Sequence, residues 1–93
     1  MSEYFTVEVE TTADPDRVEV IVNEILTDAD EEVYEGAETG EEGSPIAQVL
    51  FHAVDGIRAL VIRPDTLVIT REPDVPWEML IDDVRSALRD FFL

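Results

Sequence analysis

The N-terminal quarter of the chain alternates between apolar and polar residues. Residues 4–10 and residues 17–22 each follow a period of two, which predicts two half-buried β-strands. Between them, Asp14, Pro15 and Asp16 have the chemistry of a turn, because proline presets φ and aspartate accepts hydrogen bonds from nearby backbone N–H groups. We therefore expect an antiparallel pair joined by a loop longer than a tight hairpin. The predicted buried side consists of Phe5, Val7, Val9, Val18, Val20 and Val22.

The segment that follows has a weaker pattern. Residues 23–27 fit either an extension of the second strand or a helical turn, and both interpretations stay open. Residues 28–32 are acidic and are predicted to be solvated, and Val33 with Tyr34 predicts a short edge strand. Residues 36–43 contain three glycines and three glutamates but no large apolar residue, so we predict a mobile loop.

Ser44 and Pro45 are typical of the start of a helix. A serine hydroxyl at the N-cap accepts from a first-turn N–H, and proline suits the first helical position because its missing N–H costs nothing there. Apolar residues then recur at spacings of three and four, and Gly56 is expected to end the helix. The predicted apolar stripe consists of Ile46, Val49, Leu50 and Ala53.

A β-hairpin and a second helix complete the chain. Residues 57–63 and residues 66–71 are rich in β-forming residues, and the Pro-Asp pair between them suits a type I turn. The second helix is predicted to run from Pro76 to about Phe91, with charged residues away from its apolar stripe. That stripe consists of Trp77, Leu80, Ile81, Val84, Leu88 and Phe91.

This order of elements predicts an α+β fold. We expect a two-layer sandwich in which a four- to five-stranded sheet, mixed or antiparallel, carries two helices on one face. A chain of 93 residues is long enough for one hydrophobic core, so residues 1–93 are interpreted as a single domain.

The net charge of the chain disfavours two classes of binding partner. The chain has 23 acidic and 6 basic residues, a formal net charge of −17, and every basic residue is arginine. Nucleic acid and anionic membranes are therefore not expected as partners, because both need a basic surface. Two interpretations of the acidity stay open: an acidic surface that steers a basic protein partner, or adaptation to a high-salt cytoplasm where charge repulsion is screened.

The sequence offers few residues for chemistry. It has no cysteine, one histidine and no nucleophile paired with a base, and the acidic run near residue 40 lacks the ligand spacing of a calcium loop. His52 lies off the apolar stripe of its helix and is interpreted as a partly exposed helix residue, with a ligand or general base as the less favoured alternative. We expect no catalytic, cofactor-binding or metal-binding residues and no enzymatic activity. The lack of a secretory signal or an apolar membrane segment favours the cytoplasm.

An ordered series of short motifs resembles one known family. Ser44-Pro45-Ile46-Ala47 is followed by Leu50-Phe51, Gly56-Ile57, an Asp-Thr-Leu-Val-Ile-Thr strand at residues 65–70, Trp77-Glu78 and a final Asp90-Phe91-Phe92. This series resembles the N-terminal domain of the Nfu/NifU scaffold protein family, and the turn at residues 12–16 extends the resemblance toward the N-terminus. The chain departs from the family where aspartates replace turn asparagines, where Glu19 replaces a lysine, and where Pro76 replaces a capping aspartate.

The resemblance implies a function in iron–sulfur cluster assembly or delivery. In the family, a separate C-terminal domain carries the Cys-x-x-Cys pair that holds the cluster, and this chain has no cysteine. We therefore expect a non-catalytic, monomeric protein-interaction module that is accessory to that pathway and does not bind the cluster. Its partner would be an iron–sulfur assembly factor or an apo-client protein.

Candidate partner contacts lie in three parts of the chain. They comprise the first turn, the start and the polar side of the first helix, and the C-terminal end. An alternative function is a regulatory domain that binds a small ligand or anion through the loop at residues 14–17 and the arginine-bearing hairpin. The candidate contact residues are Asp14, Asp16, Arg17, Ser44, His52 and Phe92.

Overall fold

A computed structural model of the protein describes residues 5–93. In this part of the chain, five strands and three helices follow the order β-β-β-α-α-β-β-α. The elements are β1 (Val7–Thr11), β2 (Arg17–Val22), β3 (Glu32–Tyr34), α1 (Ala37–Glu41), α2 (Pro45–Ala53), β4 (Ile57–Ile62), β5 (Thr66–Arg71) and α3 (Trp77–Phe92).

The strands form one antiparallel sheet in the order β1-β2-β5-β4-β3. Every neighbouring pair is antiparallel, and the β4–β5 hairpin predicted from the sequence lies beside β2 in the middle of the sheet. Helices α2 and α3 pack against each other on one face. The predicted α+β fold is therefore confirmed, with a five-stranded, fully antiparallel sheet.

The core lies between the helices and one face of the sheet. The period of two in each strand places alternate side chains on this inner face, where they pack against the apolar stripes of α2 and α3. Each buried leucine, isoleucine or valine of this kind stabilises the fold by roughly 1.5 to 3 kcal/mol. The largest fully buried side chains are Val20, Leu50, Leu60, Ile62, Leu67, Ile69, Leu80, Val84 and Leu88.

The first strand and the segment after β2 differ from the prediction. β1 begins at Val7 and ends at Thr11, whereas the sequence pattern predicted residues 4–10, and Tyr4 lies outside the described residues. Residues 23–27 are neither strand nor helix. They are held by Leu26, whose side chain is buried and whose N–H donates to the Pro64 carbonyl over 2.7 Å.

The predicted loop at residues 36–43 contains a short helix, so residues 5–93 form three helices instead of the two predicted. Gly40 of α1 is buried against the Phe51 ring, which occupies the space where a β-carbon would lie. Thr39 donates its hydroxyl to the Gly36 carbonyl over 2.9 Å. The helix was missed because its packing depends on the small size of one glycine, and no apolar stripe marks it.

Both long helices keep their predicted positions, but individual stripe residues differ. In α2, Ala53 of the predicted stripe is exposed, whereas Ala47, which lies outside that stripe, is buried. In α3, Phe92 packs against the core while Phe91 is 40% exposed. Phe92 is one turn beyond Leu88 and finds the Phe5 ring as a partner, with ring centroids 5.6 Å apart.

Candidate protein-binding surface

The loop between β1 and β2 has its conformation fixed by its own side chains. A carboxylate oxygen of Asp14 accepts from the Asp16 N–H over 2.9 Å, and the Asp14 carbonyl accepts from the Arg17 N–H over 3.1 Å. The Thr12 hydroxyl donates to the Asp14 and Arg17 carbonyls, each over 3.0 Å. The carboxylate of Asp14, a predicted partner contact, is therefore engaged in the turn, although it stays exposed to solvent.

One arginine joins this loop to the start of α3. Arg71 donates from Nε to the Asp16 carboxylate over 3.1 Å and from Nη1 to the Val75 carbonyl over 2.9 Å. Its guanidinium lies 4.9 Å from the centre of the Trp77 ring, a distance suited to a cation–π interaction. We call Asp16, Arg71, Val75 and Trp77 the Arg71 clamp. The Trp77 indole also donates to the Pro15 carbonyl over 2.9 Å, so the loop is held at two neighbouring residues, Pro15 and Asp16.

Ser44 lies in a second hydrogen-bonded group, at the start of α2. Its hydroxyl caps the helix by accepting from the Ala47 N–H over 3.4 Å, as the sequence predicted. Its own N–H donates to the Tyr34 hydroxyl over 3.2 Å, and that hydroxyl donates in turn to the Glu32 carboxylate. Glu32, predicted to be solvated, instead faces the core side of β3 at the edge of the sheet.

These contacts set the ionisation of Glu32. Partial burial acts to raise the pKa of its carboxyl group, but hydrogen bonds from Thr27, Tyr34 and Ser44 act in the opposite direction. The net effect lowers the pKa of Glu32 below its ordinary value of 4.5. The folded state therefore favours the ionised carboxylate that joins β3 to the cap of α2.

Glu32→Gln is expected to destabilise the folded protein near neutral pH and to have a smaller effect in acid. Because folding lowers this pKa, the contribution of Glu32 is complete above 4.5 and disappears as pH falls through the lower folded value. Urea unfolding, measured from neutral pH downward, should therefore show a difference between wild type and variant that is largest near neutral pH and shrinks below 4.5. The control is Glu38→Gln on α1, which removes the same charge at an exposed position. A difference that stays constant through acid pH would contradict the assignment.

The other two predicted contacts lie far from the loop. His52 is exposed on α2, beside a shallow depression that Glu41, Gln48 and Val49 also line. Phe92 is half-buried against Phe5 at the opposite end of β1 from Asp14. The structure thus brings Asp14, Asp16 and Arg17 together but does not join them to Ser44, His52 or Phe92 in one surface. The role of all six as partner contacts stays a prediction.

The sheet face opposite the helices was not identified from the sequence. Within residues 5–93 no element covers it, and Val33, Val61 and Val68 form an apolar row across β3, β4 and β5. Arg17 and Arg63 lie at the margins of the depression that these valines line. Residues 59–62 of β4 are all apolar, which marks both faces of this strand, but the strand order needed to assemble the row could not be read from the sequence.

Across residues 5–93, no three His, Cys, Asp or Glu side chains are grouped so that they could hold a metal ion. None of the helices in that same range is long and apolar enough to cross a bilayer.

One known family matches nearly the whole chain. The model of the family described as "Scaffold protein Nfu/NifU N terminal" matches residues 7–93, from the first residue of β1 to the end of the chain. The chain belongs to the Nfu/NifU N-terminal family. The family resemblance seen in the sequence motifs is therefore confirmed. The matched Nfu N-terminal domain contains all eight elements described in residues 5–93.

Two curated relatives of this Nfu N-terminal domain come from Drosophila species. Two proteins named "NFU1 iron-sulfur cluster scaffold homolog, mitochondrial", from Drosophila ananassae and Drosophila persimilis, are 35% and 33% identical over 54 residues. The match covers 58% of this chain, and it spans only 18% and 19% of the lengths of these relatives. The sequence similarity is thus confined to one part of much longer proteins.

Solved structures confirm the fold. The solution structure of a NifU-like protein from Saccharomyces cerevisiae matches with a TM-score of 0.80 over 97% of this chain and 82% of its own, at 21% identity. A crystal structure of a Staphylococcus aureus protein matches with a TM-score of 0.72 over 88% of this chain and 96% of its own, at 12% identity. At these identities the likeness concerns the fold alone.

Proposed function

We propose that this Nfu N-terminal domain is a non-catalytic protein-interaction module in iron–sulfur cluster assembly or delivery. The family match over residues 7–93 carries the proposal, because the curated relatives are named as iron–sulfur cluster scaffold homologs. The partner would be an assembly factor or an apo-client protein. The acidic surface would speed encounter with a basic partner by long-range attraction, an effect that salt weakens.

The cluster itself would be held by the partner. Iron–sulfur clusters in proteins are bound mainly by cysteine thiolates, with histidine as an occasional replacement, and this chain has no cysteine and one histidine. The module would therefore act on proteins that carry or receive the cluster, which is the substrate of the pathway.

Three measurements test this function together. The tagged chain, purified from its source cell, should enrich iron–sulfur assembly factors or apo-clients, and cells that lack it should lose activity of iron–sulfur enzymes but not of metal-free enzymes. Anaerobic incubation of the pure chain with ferrous iron and sulfide should leave no bound cluster after desalting. Specific partners unrelated to iron–sulfur proteins, with normal enzyme activities in the deleted cells, would contradict the proposal.

The alternative of an anion-binding regulator has less support from the geometry. Two of the hairpin arginines that it needs are engaged within the chain, Arg63 with Glu31 over 3.2 Å and Arg71 with Asp16 over 3.1 Å. A thermal-shift screen of anionic metabolites distinguishes the two functions, since a specific ligand stabilises the native state by mass action.

A further inference from the structure

β1 is an open edge of the sheet. Within residues 5–93 it lies at the end of the strand order and pairs only with β2, so alternate residues direct their backbone N–H and C=O groups away from the sheet. The other edge, β3, has only three residues and lies beside α1. Of the two edges, β1 is the longer, with five residues, and four of them are exposed.

The inner side of this edge is incompletely covered. Val9 and its cross-strand partner Val20 face the same side of the sheet, but Val20 is fully buried whereas Val9 is 39% exposed. The reason is a groove between β1 and α3, lined by Val9, Trp77 and Ile81, with Glu78 and Asp82 at its margin. An apolar side chain from a strand added beside β1 would lie over this groove.

The charges around the edge select the kind of strand that can be added. Glu8 and Glu10 project from the opposite face of β1, and Glu10 lies directly across from Glu19 on β2. On the groove side, Arg85 lies 3.7 Å from Asp82 and neutralises part of the negative charge there. The negative charge is therefore stronger on the face of β1 that carries Glu8 and Glu10. A strand with basic residues at the positions beside Glu8 and Glu10 would gain favourable cross-strand pairs.

The same carboxylates disfavour a second copy of this chain at the edge. Pairing of two β1 strands would bring Glu8 and Glu10 of one copy against those of the other, and like charges on facing strands are destabilising. The edge is thus protected against self-association but not against a cationic strand.

We propose that β1 binds an extended, cationic segment of a protein partner as a sixth strand of the sheet. Backbone hydrogen bonds to β1 provide the pairing, as in other cases of strand addition. Apolar side chains of the segment lie on Val9, Trp77 and Ile81, and alternate arginine or lysine side chains pair with Glu8 and Glu10. This inference rests on the proposed function as a partner-binding module and specifies which surface it uses.

Synthetic peptides test the edge directly. The probe is a blocked peptide of about six residues in which arginine and valine alternate, titrated into the isotope-labelled full chain and followed by NMR. Binding should shift the signals of β1 amides and of the Trp77 indole N–H, and should slow hydrogen exchange at the outward-facing amides of β1. A peptide of the same composition, with its arginines and valines in separate blocks, should bind about tenfold more weakly.

Backbone methylation separates strand pairing from simple attraction between charges. Two versions of the alternating peptide carry N-methyl groups either on the valines or on the arginines, so each blocks one edge of the peptide. One version should lose binding and the other should keep it, because only one edge of the peptide faces β1. Equal binding of both versions, or of the block peptide, would overturn the proposal.

A matched pair of variants tests whether Glu8 and Glu10 are the carboxylates that attract the cationic peptide. Glu8→Gln/Glu10→Gln should weaken binding of the alternating peptide about five- to tenfold, whereas Glu38→Gln/Glu41→Gln on α1 removes the same charge and should have little effect. Equal effects of the two variants would overturn the proposal. In the cell, a Glu8→Gln/Glu10→Gln chain that keeps all its iron–sulfur partners would overturn the edge site while leaving the proposed function in place.

Discussion

Gly56→Ala is expected to destabilise the folded protein by about 2 to 4 kcal/mol. Gly56 connects α2 to β4 with φ of +99°, a conformation that residues with a side chain rarely adopt. Its β-carbon would also lie only 2.8 Å from a methyl group of Val75. Both effects destabilise the folded state. The turn cannot move away easily to relieve them, because the Gly56 carbonyl accepts from the Glu72 N–H over 2.8 Å and so holds the segment before α3 in place.

Gly36→Ala is the matched control. Gly36 has extended backbone, and a β-carbon there would have no heavy atom within 4 Å. The alanine should be neutral or stabilise the protein by up to about 1 kcal/mol, because it restricts the unfolded chain more than glycine does. Urea denaturation of both variants measures the difference. Equal midpoints for Gly56→Ala and wild type would show that the turn at Gly56 and its contact with Val75 are not needed for stability.

Local pattern was enough to predict the strands and helices that carry strong signals. β2 matched its predicted bounds, and the β4–β5 hairpin and the Ser44 cap of α2 lie where expected, because alternation, turn residues and capping chemistry act over a few residues. The failures occur where packing with a distant residue decides. Gly40 is helical because Phe51 packs on it, and Phe92 turns inward because Phe5 is there to receive it.

The candidate surfaces were harder to predict than the fold. Asp16 and Arg71 are 55 residues apart in sequence, and they meet only because β2 and β5 are neighbours in the sheet. The groove at Val9 has the same origin. Val9 and Val20 have equal places in the sequence pattern, and only the strand order makes one of them an edge residue. Surfaces of this kind depend on the order of the strands in the sheet, and the alternation of apolar and polar residues within one strand does not reveal that order.

Arg71→Met is expected to destabilise the protein by roughly 2 to 3 kcal/mol, more than any other arginine substitution in the hairpin. Methionine keeps an apolar stem against Trp77, but it loses the ion pair with Asp16, the cation–π contact and the hydrogen bond to the Val75 carbonyl. The Arg71 side chain is only 20% exposed, so water replaces these contacts poorly.

Arg63→Met tests whether this effect belongs to the clamp or to loss of any positive charge from so acidic a chain. Arg63 lies in the same hairpin and forms an ion pair with Glu31 over 3.2 Å, but these side chains are 48% and 45% exposed. Because exposed pairs of this kind are worth about 0 to 1 kcal/mol, Arg63→Met should lower the urea midpoint far less than Arg71→Met. Arg71→Lys should fall between them, since lysine keeps the charge but cannot bind Asp16 and Val75 with one planar group. If both methionine variants shift the midpoint equally, net charge explains the loss, and the clamp does not hold the β1–β2 loop to α3.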